Sequence, residues 1–318
     1  KKLSVRRYIL TGTPVANNAQ DLWAQFYFLD DGKTLGKDFN TFKKDYKTSG
    51  ISKDKLIELR SKIQSISIRR LKDNVLELPE KIFQTILVEL SPEQNKIYKK
   101  LKKELLIEII NTDEQKIIDE SKSILKKLLR LVQIASNPGL VVVGYKEIPS
   151  KFKELDKLVK EIIDRGEKVI IWSSFVNNVK TLQSRYKEFG AVHISGEVEI
   201  TRRNKYVQMF QEDPDCKIMV ANPAAAREGL TLTAANNAIY LDRSFNLVDY
   251  LQSQDRIDRL SQKKQCHIIK LIANDTIDLF IEDKLAKKQD IAKIIQGDLD
   301  EIDDSKYLTK EELVELLN

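Results

Sequence analysis

From residue 152 onward, short apolar runs alternate with amphipathic segments, and this alternation restricts the fold more than any other feature of the sequence. The apolar runs predict strands at KVIIW (168–172), AVHIS (191–195), KIMVA (217–221), AIYLD (238–242) and CHIIKLI (266–272). Because amphipathic helices separate these runs, we expect a parallel sheet covered on both faces. Ligands bind beyond the carboxyl ends of such strands, so the loops after residues 172, 194, 221 and 242 should share one edge. The predicted fold class is α/β.

The residues before 152 predict a different organisation. FQTILVEL (83–90) is typical of a strand, and two long helices follow it at about 91–135, with Ser91 as the cap and Pro92 in the first turn. Residues 18–29 have helical spacing, and the run Tyr8 to Leu10 indicates a core strand. A chain that opens on a core strand is expected to be a fragment whose upstream half is missing.

Composition limits the classes of protein that fit. Hydrophobic residues make up 42% of the chain, enough for ordinary buried cores, and the net charge of +6 permits a polyanionic partner without requiring one. Cys216 and Cys266 have no partner spacing and fall in apolar runs, which indicates reduced core residues of an intracellular protein. Neither a membrane-spanning run nor a signal peptide is evident, so no membrane partner is expected.

The common catalytic patterns are incomplete. Gly32-Lys33-Thr34 resembles the end of a phosphate-binding P-loop, but the first glycine of that motif would fall on Tyr27. The two histidines, His193 and His267, lie in predicted strands, so neither a catalytic triad nor a metal site is expected. By itself, the chain has no complete catalytic centre.

Two local features are ambiguous. If QSQDRIDRLSQ (252–262) is a helix, Arg256 and Arg259 lie on one face, either in surface ion pairs with Asp255 and Asp258 or directed at a ligand. Asn222-Pro223 predicts a helix that begins where the preceding strand ends, either as an anion site or as an ordinary crossover turn.

Six segments, in order, resemble motifs of the Swi/Snf family of helicase-like ATPases, within helicase superfamily two. They are LTGTPVANNAQDLWAQFYFL (10–29, motif III and the following helix), SIRRLKDNVLELPEK (67–81, the basic segment after the first lobe), KVIIWSSF (168–175, motif IV), ISGEVEITRRNKYVQMF (194–210, motif IVa), AREGLTLTAANNAIYLDRSFN (226–246, motif V) and QSQDRIDRLSQ (252–262, motif VI). Each motif alone is weak, but six in order are a specific signal.

The resemblance implies two RecA-like lobes, with ATP in the cleft between them and double-stranded DNA across both. It divides the chain into 1–30 as the end of the first lobe, 31–81 as a linker and helical extension, 82–297 as the second lobe with its helical insertion, and 298–318 as an acidic tail with a short helix. ATP and Mg²⁺ would be bound mainly by the first lobe, whose P-loop and DEAH-like acid would lie upstream. This fragment alone should therefore hydrolyse no ATP.

The same resemblance suggests roles for individual residues. Arg256 and Arg259 would act as catalytic arginine fingers, which stabilise charge on the γ-phosphate. The nucleotide-binding candidates are Gln252, Asp255, Gly229 and Thr231, and the coupling residues of motif III are Thr11, Gly12 and Thr13. The DNA-binding candidates are Ser173, Ser174, Gly196, Asn222, Arg69, Arg70 and Lys72. For the last three a solvated linker face is an equal alternative, and Arg203 of motif IVa could be structural.

The chain departs from the family pattern at three places. Motif VI usually has histidine where this chain has Asp258, motif V often has a glycine pair where it has Ala226-Arg227, and motif III has glutamine where it has Ala16. These departures affect the expected coupling between nucleotide and DNA more than the hydrolysis itself.

The preferred function is the C-terminal lobe of an ATP-dependent DNA translocase that remodels or displaces nucleoprotein. Its expected partners are double-stranded DNA, the first lobe of the same parent chain, and a nucleoprotein or defence complex. The alternatives are the motor of a bacterial or phage restriction complex, a non-enzymatic docking lobe, and an unrelated α/β enzyme such as a methyltransferase. The expected location is the cytoplasm and nucleoid of a prokaryote, or the nucleus of a eukaryote.

Overall fold

The computed structural model describes residues 6–15, 18–46, 51–70, 78–111, 121–227, 229–296 and 298. The strands are β1 (Ile82–Val88), β2 (Val169–Trp172), β3 (Val192–Ile194), β4 (Ile218–Ala221), β5 (Asn237–Tyr240) and β6 (His267–Ala273). The α-helices are α1 (Asp21–Asp30), α2 (Phe39–Asp45), α3 (Lys53–Gln64), α4 (Pro92–Ile110), α5 (Ser121–Ser136), α6 (Ser150–Asp164), α7 (Val176–Arg185), α8 (Ile200–Glu212), α9 (Leu247–Gln254) and α10 (Ile277–Gln296). Short 3₁₀ helices occur at Pro138–Leu140, Lys187–Phe189 and Pro223–Arg227.

The six strands form one sheet in the order β1–β6–β5–β2–β4–β3, and every neighbouring pair is parallel. This confirms the predicted α/β class and the predicted parallel sheet. Every residue of β2, β4 and β5 is buried, which explains why these strands appear in the sequence as unbroken apolar runs. β1 lies at one edge of the sheet and is mostly exposed.

The parallel arrangement brings the carboxyl ends of the strands to one edge, as predicted. The segments that begin at Ser173, Ser195 and Asn222 follow β2, β3 and β4 there. Helices cover the sheet with apolar side chains such as Leu155 of α6 and Leu182 of α7, which belong to the same buried cluster as strand residues of the sheet. The core therefore fixes the strands, and the loops beyond them are free to carry polar groups.

The predicted helical pair is present as α4 and α5. The hydroxyl of Ser91 accepts a hydrogen bond from the Gln94 N–H at 3.3 Å, so Ser91 is the cap and Pro92 the first residue of α4, as expected. Gln94 itself is buried, and its Nε2 donates to the carbonyl oxygens of Ile134 and Ala135 at 2.8 and 3.2 Å. These bonds connect the start of α4 to the end of α5.

The described residues form two compact units. One contains the sheet, with residues 78–244 and 249–282. The other combines the segment up to residue 70 with residues 245–248 and with α10 from residue 283. Its core joins side chains of α1, α2 and α3 to Ile291, Ile294 and Ile295 of α10. The second half of α10, which the sequence analysis assigned to the second lobe, packs with α1–α3 in this unit.

The prediction of a core strand at Tyr8 to Leu10 is wrong. These residues have no strand structure, and Tyr8 and Leu10 are 76% and 98% exposed. A strand needs a neighbouring strand for its backbone hydrogen bonds, and within the described ranges no strand pairs with this run.

Other expectations concern single residues and segments. His193 and His267 lie in β3 and β6, and Cys216 and Cys266 are buried free cysteines, as predicted. Among the described helices, none is both long enough and apolar enough to span a membrane. Ala16 and Lys72 lie outside the described residues, as does the predicted acidic tail apart from Asp298.

Candidate functional site

The loops at the carboxyl ends of β2, β3 and β4 are tied together by Asn222. Its Nδ2 donates to the carbonyl oxygens of Ser173 and Ser174 at 3.2 and 2.9 Å. Its backbone N–H donates to the carbonyl oxygen of Ile194 at 2.9 Å. Ser174 is partly buried, and Gly196, the second residue after β3, is exposed. Three predicted DNA-binding residues, Ser174, Gly196 and Asn222, therefore lie in connected loops on one edge of the sheet.

Ser173 does not fit its predicted role. The side chain is fully buried, and its hydroxyl donates to the carboxylate of Asp242 at 2.7 Å. The hydroxyl also accepts a hydrogen bond from the N–H of Phe175 at 3.2 Å. Because the hydroxyl is buried and engaged inside the protein, Ser173 supports the loop, and its side chain is not positioned to contact a phosphate.

Asp242 is a residue of this edge that the sequence analysis missed. Its carboxylate also accepts hydrogen bonds from the Ser174 N–H at 2.7 Å, from the Ser136 hydroxyl at 2.9 Å and from Asn178 Nδ2 at 3.3 Å. Burial raises the pKa of Asp242 above its ordinary value, and the hydrogen bonds from Ser173 and Ser174 oppose this effect. The only signal in the sequence was an acidic residue at the end of an apolar run.

The predicted helix after Asn222 is a short 3₁₀ helix, Pro223–Arg227. Asn222 caps it as expected, because its Oδ1 accepts a hydrogen bond from the Ala224 N–H at 3.0 Å. Arg203 lies nearby and is buried, with Nη2 donating to the carbonyl oxygens of Ser195 and Val198 at 3.3 and 3.1 Å. These contacts give Arg203 a structural role in holding the loop after β3.

The prediction that 252–262 forms a helix is wrong over most of that range. The helix α9 ends at Gln254, and residues 255–260 form a series of turns, here called the arginine turn. The carbonyl oxygen of Arg256, which a continuing helix would use internally, accepts a hydrogen bond from the N–H of Leu232 at 2.9 Å. The N–H of Leu232 thus takes the place of the N–H that the next helical turn would donate to this carbonyl oxygen.

The two arginines are held against the 229–232 segment. Arg256 is buried, and its Nη1 lies 3.5 Å from the Leu230 carbonyl oxygen. Arg259 is partly buried, with Nη1 donating to the hydroxyl of Thr231 at 2.9 Å and Nε to the carbonyl oxygen of Asp255 at 3.0 Å. The structure therefore brings together four predicted residues of the nucleotide group, Arg256, Arg259, Thr231 and Asp255.

The electrostatics of this pair suit a polyanion. Burial lowers the pKa of Arg256 from its ordinary value, and the positive charge of Arg259 lowers it further. An arginine stays protonated in proteins, so two neighbouring guanidinium groups concentrate positive charge at the turn. A phosphate would relieve this repulsion and accept hydrogen bonds from both groups. Within the described ranges, no group of three or more acidic, histidine or cysteine side chains is arranged to hold a metal ion.

The remaining predicted nucleotide residues lie close by in sequence. Gly229 is exposed, with φ at +59°, a backbone conformation that glycine adopts without strain. Gln252 is partly buried in the last turns of α9. The arginine turn lies in the connection from α9 to the start of β6, whereas the DNA candidates follow the ends of β2, β3 and β4. The two arginines thus lie in a different connection of the sheet unit from Ser174, Gly196 and Asn222.

The basic and motif III residues belong to the other unit. Arg69 makes two hydrogen bonds to the carboxylate of Asp298, at 3.1 and 2.5 Å, and Arg70 donates to the carbonyl oxygen of Arg69 at 3.0 Å. Thr11 and Gly12 are exposed, and the N–H of Thr13 donates to the Thr11 hydroxyl at 3.1 Å. The ion pair between Arg69 and Asp298 favours the alternative interpretation of this segment, a solvated linker face.

Comparison with known proteins assigns the family. The sequence matches the SNF2-related domain at residues 2–140 and the helicase conserved C-terminal domain at residues 150–261. A SWI2/SNF2 ATPase core of Sulfolobus solfataricus, solved in complex with double-stranded DNA, is 30% identical, with a TM-score of 0.58 over 91% of this chain and 62% of that one. The chain belongs to the Swi/Snf family. Its sheet is therefore RecA-like, as the motifs indicated.

Two curated relatives are similar along almost the whole chain. An uncharacterized ATP-dependent helicase of Mycoplasma genitalium is 30% identical over 96% of this chain, and the transcription regulatory protein SNF2 of Saccharomyces cerevisiae is 26% identical over 92%. The chain spans only 29% and 19% of the length of these two relatives.

Proposed function

We propose that this chain is the C-terminal lobe of an ATP-dependent translocase on double-stranded DNA, which remodels or displaces nucleoprotein. The observation that carries the proposal is the anchored pair of guanidinium groups, Arg256 and Arg259, held against the 229–232 segment. Membership of the Swi/Snf family supports the use of ATP, and the similar Sulfolobus core in complex with DNA supports the partner.

In this proposal the arginine turn acts on the γ-phosphate of ATP. Arg259 uses Nε and Nη1 for internal hydrogen bonds, and the rest of its planar group carries further N–H donors that suit phosphate oxygens. A preceding lobe would bind ATP and close against the turn, and the guanidinium would then stabilise charge on the transferring phosphoryl group. The chain lacks a complete P-loop, so alone it should not hydrolyse ATP.

The proposed DNA contacts are at the carboxyl edge of the sheet. Ser174 offers its hydroxyl and Gly196 its exposed backbone, and small polar groups of this kind contact phosphates without reading base sequence. Asn222 supports both by tying their loops together, since its own N–H and side chain are used in internal hydrogen bonds. A motor that moves along any duplex needs contacts of this kind. Closure and reopening of the cleft during each ATP cycle would move this edge along the duplex backbone.

The test is ATP turnover by the full-length protein, with and without duplex DNA. Arg259→Ala should lower DNA-stimulated turnover by about 10³-fold, the lower end of the range for arginine fingers. Arg185→Ala is the matched control, because it removes another partly exposed arginine of the same unit, one that pairs with Asp156. Unchanged turnover in the folded Arg259→Ala protein would refute the proposed role of the turn.

The DNA arm of the experiment uses Gly196. A Cβ added at this exposed position meets no atom within 4 Å, so we expect both aspartate and asparagine to be accommodated. Near a phosphate, the added negative charge of Gly196→Asp should weaken duplex binding by about 1 kcal/mol, roughly fivefold in Kd, relative to Gly196→Asn. Equal Kd values for the two variants would place the DNA elsewhere.

A further inference from the structure

Asp258 presents an electrostatic problem at the centre of the arginine turn. Its side chain is only 6% exposed, so the carboxylate is largely removed from water. It lies between Arg256 and Arg259 in the chain, where an uncompensated carboxylate could form an ion pair with either guanidinium. Such a pair would withdraw an arginine from the phosphate that the proposed function assigns to it. Asp258 therefore needs a cation of its own.

Lys81 provides this cation from another part of the sheet unit. Its Nζ lies 3.1 Å from Oδ2 of Asp258, and its side chain is 29% exposed. Lys81 directly precedes β1, and the backbone around it is fixed, because the N–H of Ile82 donates to the carbonyl oxygen of Cys266 at 2.8 Å. The β1 strand then continues in register with β6 from Ile82 to Val88. The ammonium group is thus presented from an ordered strand.

The arginine turn depends on side-chain contacts of this kind. After α9 ends at Gln254, the N–H groups of Arg256 and Ile257 donate only three residues back, to Ser253 and Gln254. On one side, the turn is held by the contacts of Arg256 and Arg259 with the 230–232 segment. Lys81 adds a further anchor through its ion pair with Asp258.

We propose that Lys81 is a positioning residue for Arg256 and Arg259. It holds the carboxylate of Asp258 and so keeps that carboxylate from pairing with either guanidinium group. This role rests on the proposed ATPase function of the arginine turn. It assigns to Lys81 no contact with ATP, and it explains how an acidic residue is tolerated between two catalytic arginines.

The test compares four forms of the full-length protein: wild type, Lys81→Met, Asp258→Asn and the double variant. Lys81→Met should lower kcat for DNA-stimulated ATP hydrolysis by about 10- to 100-fold, the scale expected for misplacing a catalytic group. The KM for ATP should change little. The double variant should recover the kcat of Asp258→Asn, because the carboxylate that Lys81 holds is absent from both.

Two controls distinguish a positioning role of Lys81 from a general loss of charge or stability. Lys160→Met removes a lysine from the exposed ion pair with Asp164 and should leave kcat unchanged. A kcat of Lys81→Met equal to that of Lys160→Met would overturn the inference, as would a loss that follows Tm and is not rescued in the double variant. Arg259→Ala is measured in parallel. If it loses turnover while Lys81→Met does not, only the positioning role fails; if Arg259→Ala retains turnover, both proposals fail.

Discussion

Replacing Lys151 by methionine should destabilise the sheet unit by about 3–5 kcal/mol, the usual cost of removing one partner from a buried ion pair. Lys151 is fully buried at the start of α6, and its Nζ lies 2.5 Å from Oδ2 of Asp278 and 2.8 Å from the carbonyl oxygen of Leu241. Methionine keeps most of the side-chain volume, so the loss is electrostatic. Asp278 would keep the hydrogen bond from the Ala273 N–H at 2.9 Å, which does not neutralise a buried carboxylate.

Urea unfolding followed by tryptophan fluorescence measures this free energy for the correct unit. The chain has two tryptophans, and Trp172 is fully buried in β2. Trp23 belongs to the other unit, so a Trp23→Phe background makes the signal specific for the sheet. For a unit of about 200 residues, the predicted loss corresponds to roughly 6–20 °C in Tm.

Two comparisons can refute the reasoning. Lys160→Met breaks an ion pair whose side chains are 74% and 61% exposed, and should cost less than about 1 kcal/mol. The double variant Lys151→Met with Asp278→Asn should be more stable than Lys151→Met alone, because it removes the uncompensated charge. If Lys151→Met costs no more than Lys160→Met, or if the double variant is no more stable, the ion pair does not stabilise this core as argued.

The remaining predictions also concern stability. Burial, and to a smaller extent Arg202, lowers the pKa of His193, so the unfolded chain takes up its proton first and stability is lost as pH falls below about 6.5. Between pH 7.5 and pH 5.0, the free energy of unfolding should fall less for His193→Gln than for wild type, as measured by urea unfolding at both pH values. Gly190→Ala should cost about 1–3 kcal/mol more than Gly166→Ala by urea unfolding. Both glycines have positive φ, but an added Cβ at Gly190 would lie 2.3 Å from the Asp215 carbonyl oxygen, whereas at Gly166 it meets nothing within 4 Å; equal costs would contradict this.

The strands of the sheet could be predicted because their signal is local. A run such as KIMVA is apolar at every position since both faces of its strand are covered, and its neighbours in sequence are amphipathic helices. The cap at Ser91 and the turn at Asn222 were also readable, because an N-cap depends on a hydrogen bond to the backbone two or three residues away.

The errors occur where a distant segment competes with local preference. The sequence favours a helix through Arg259, but the Arg256 carbonyl oxygen bonds to Leu232, and the helix ends at Gln254. Ser173 has the small polar side chain expected of a phosphate contact, but it is buried against Asp242. No local sequence pattern indicates either partner, since Leu232 is more than twenty residues from Arg256 and Asp242 is more than twenty residues from Ser173.

The sequence by itself determined the α/β class, the parallel sheet, the family and the order of the motifs, because apolar periodicity and motif spacing are properties of contiguous residues. Tertiary structure decided which polar groups are available. It buried Ser173, joined Arg259 to Thr231, and paired Asp258 with Lys81 across the fold. The groups that a charged or hydrogen-bonding side chain can bind depend on its neighbours, and folding brings these neighbours together from distant parts of the sequence.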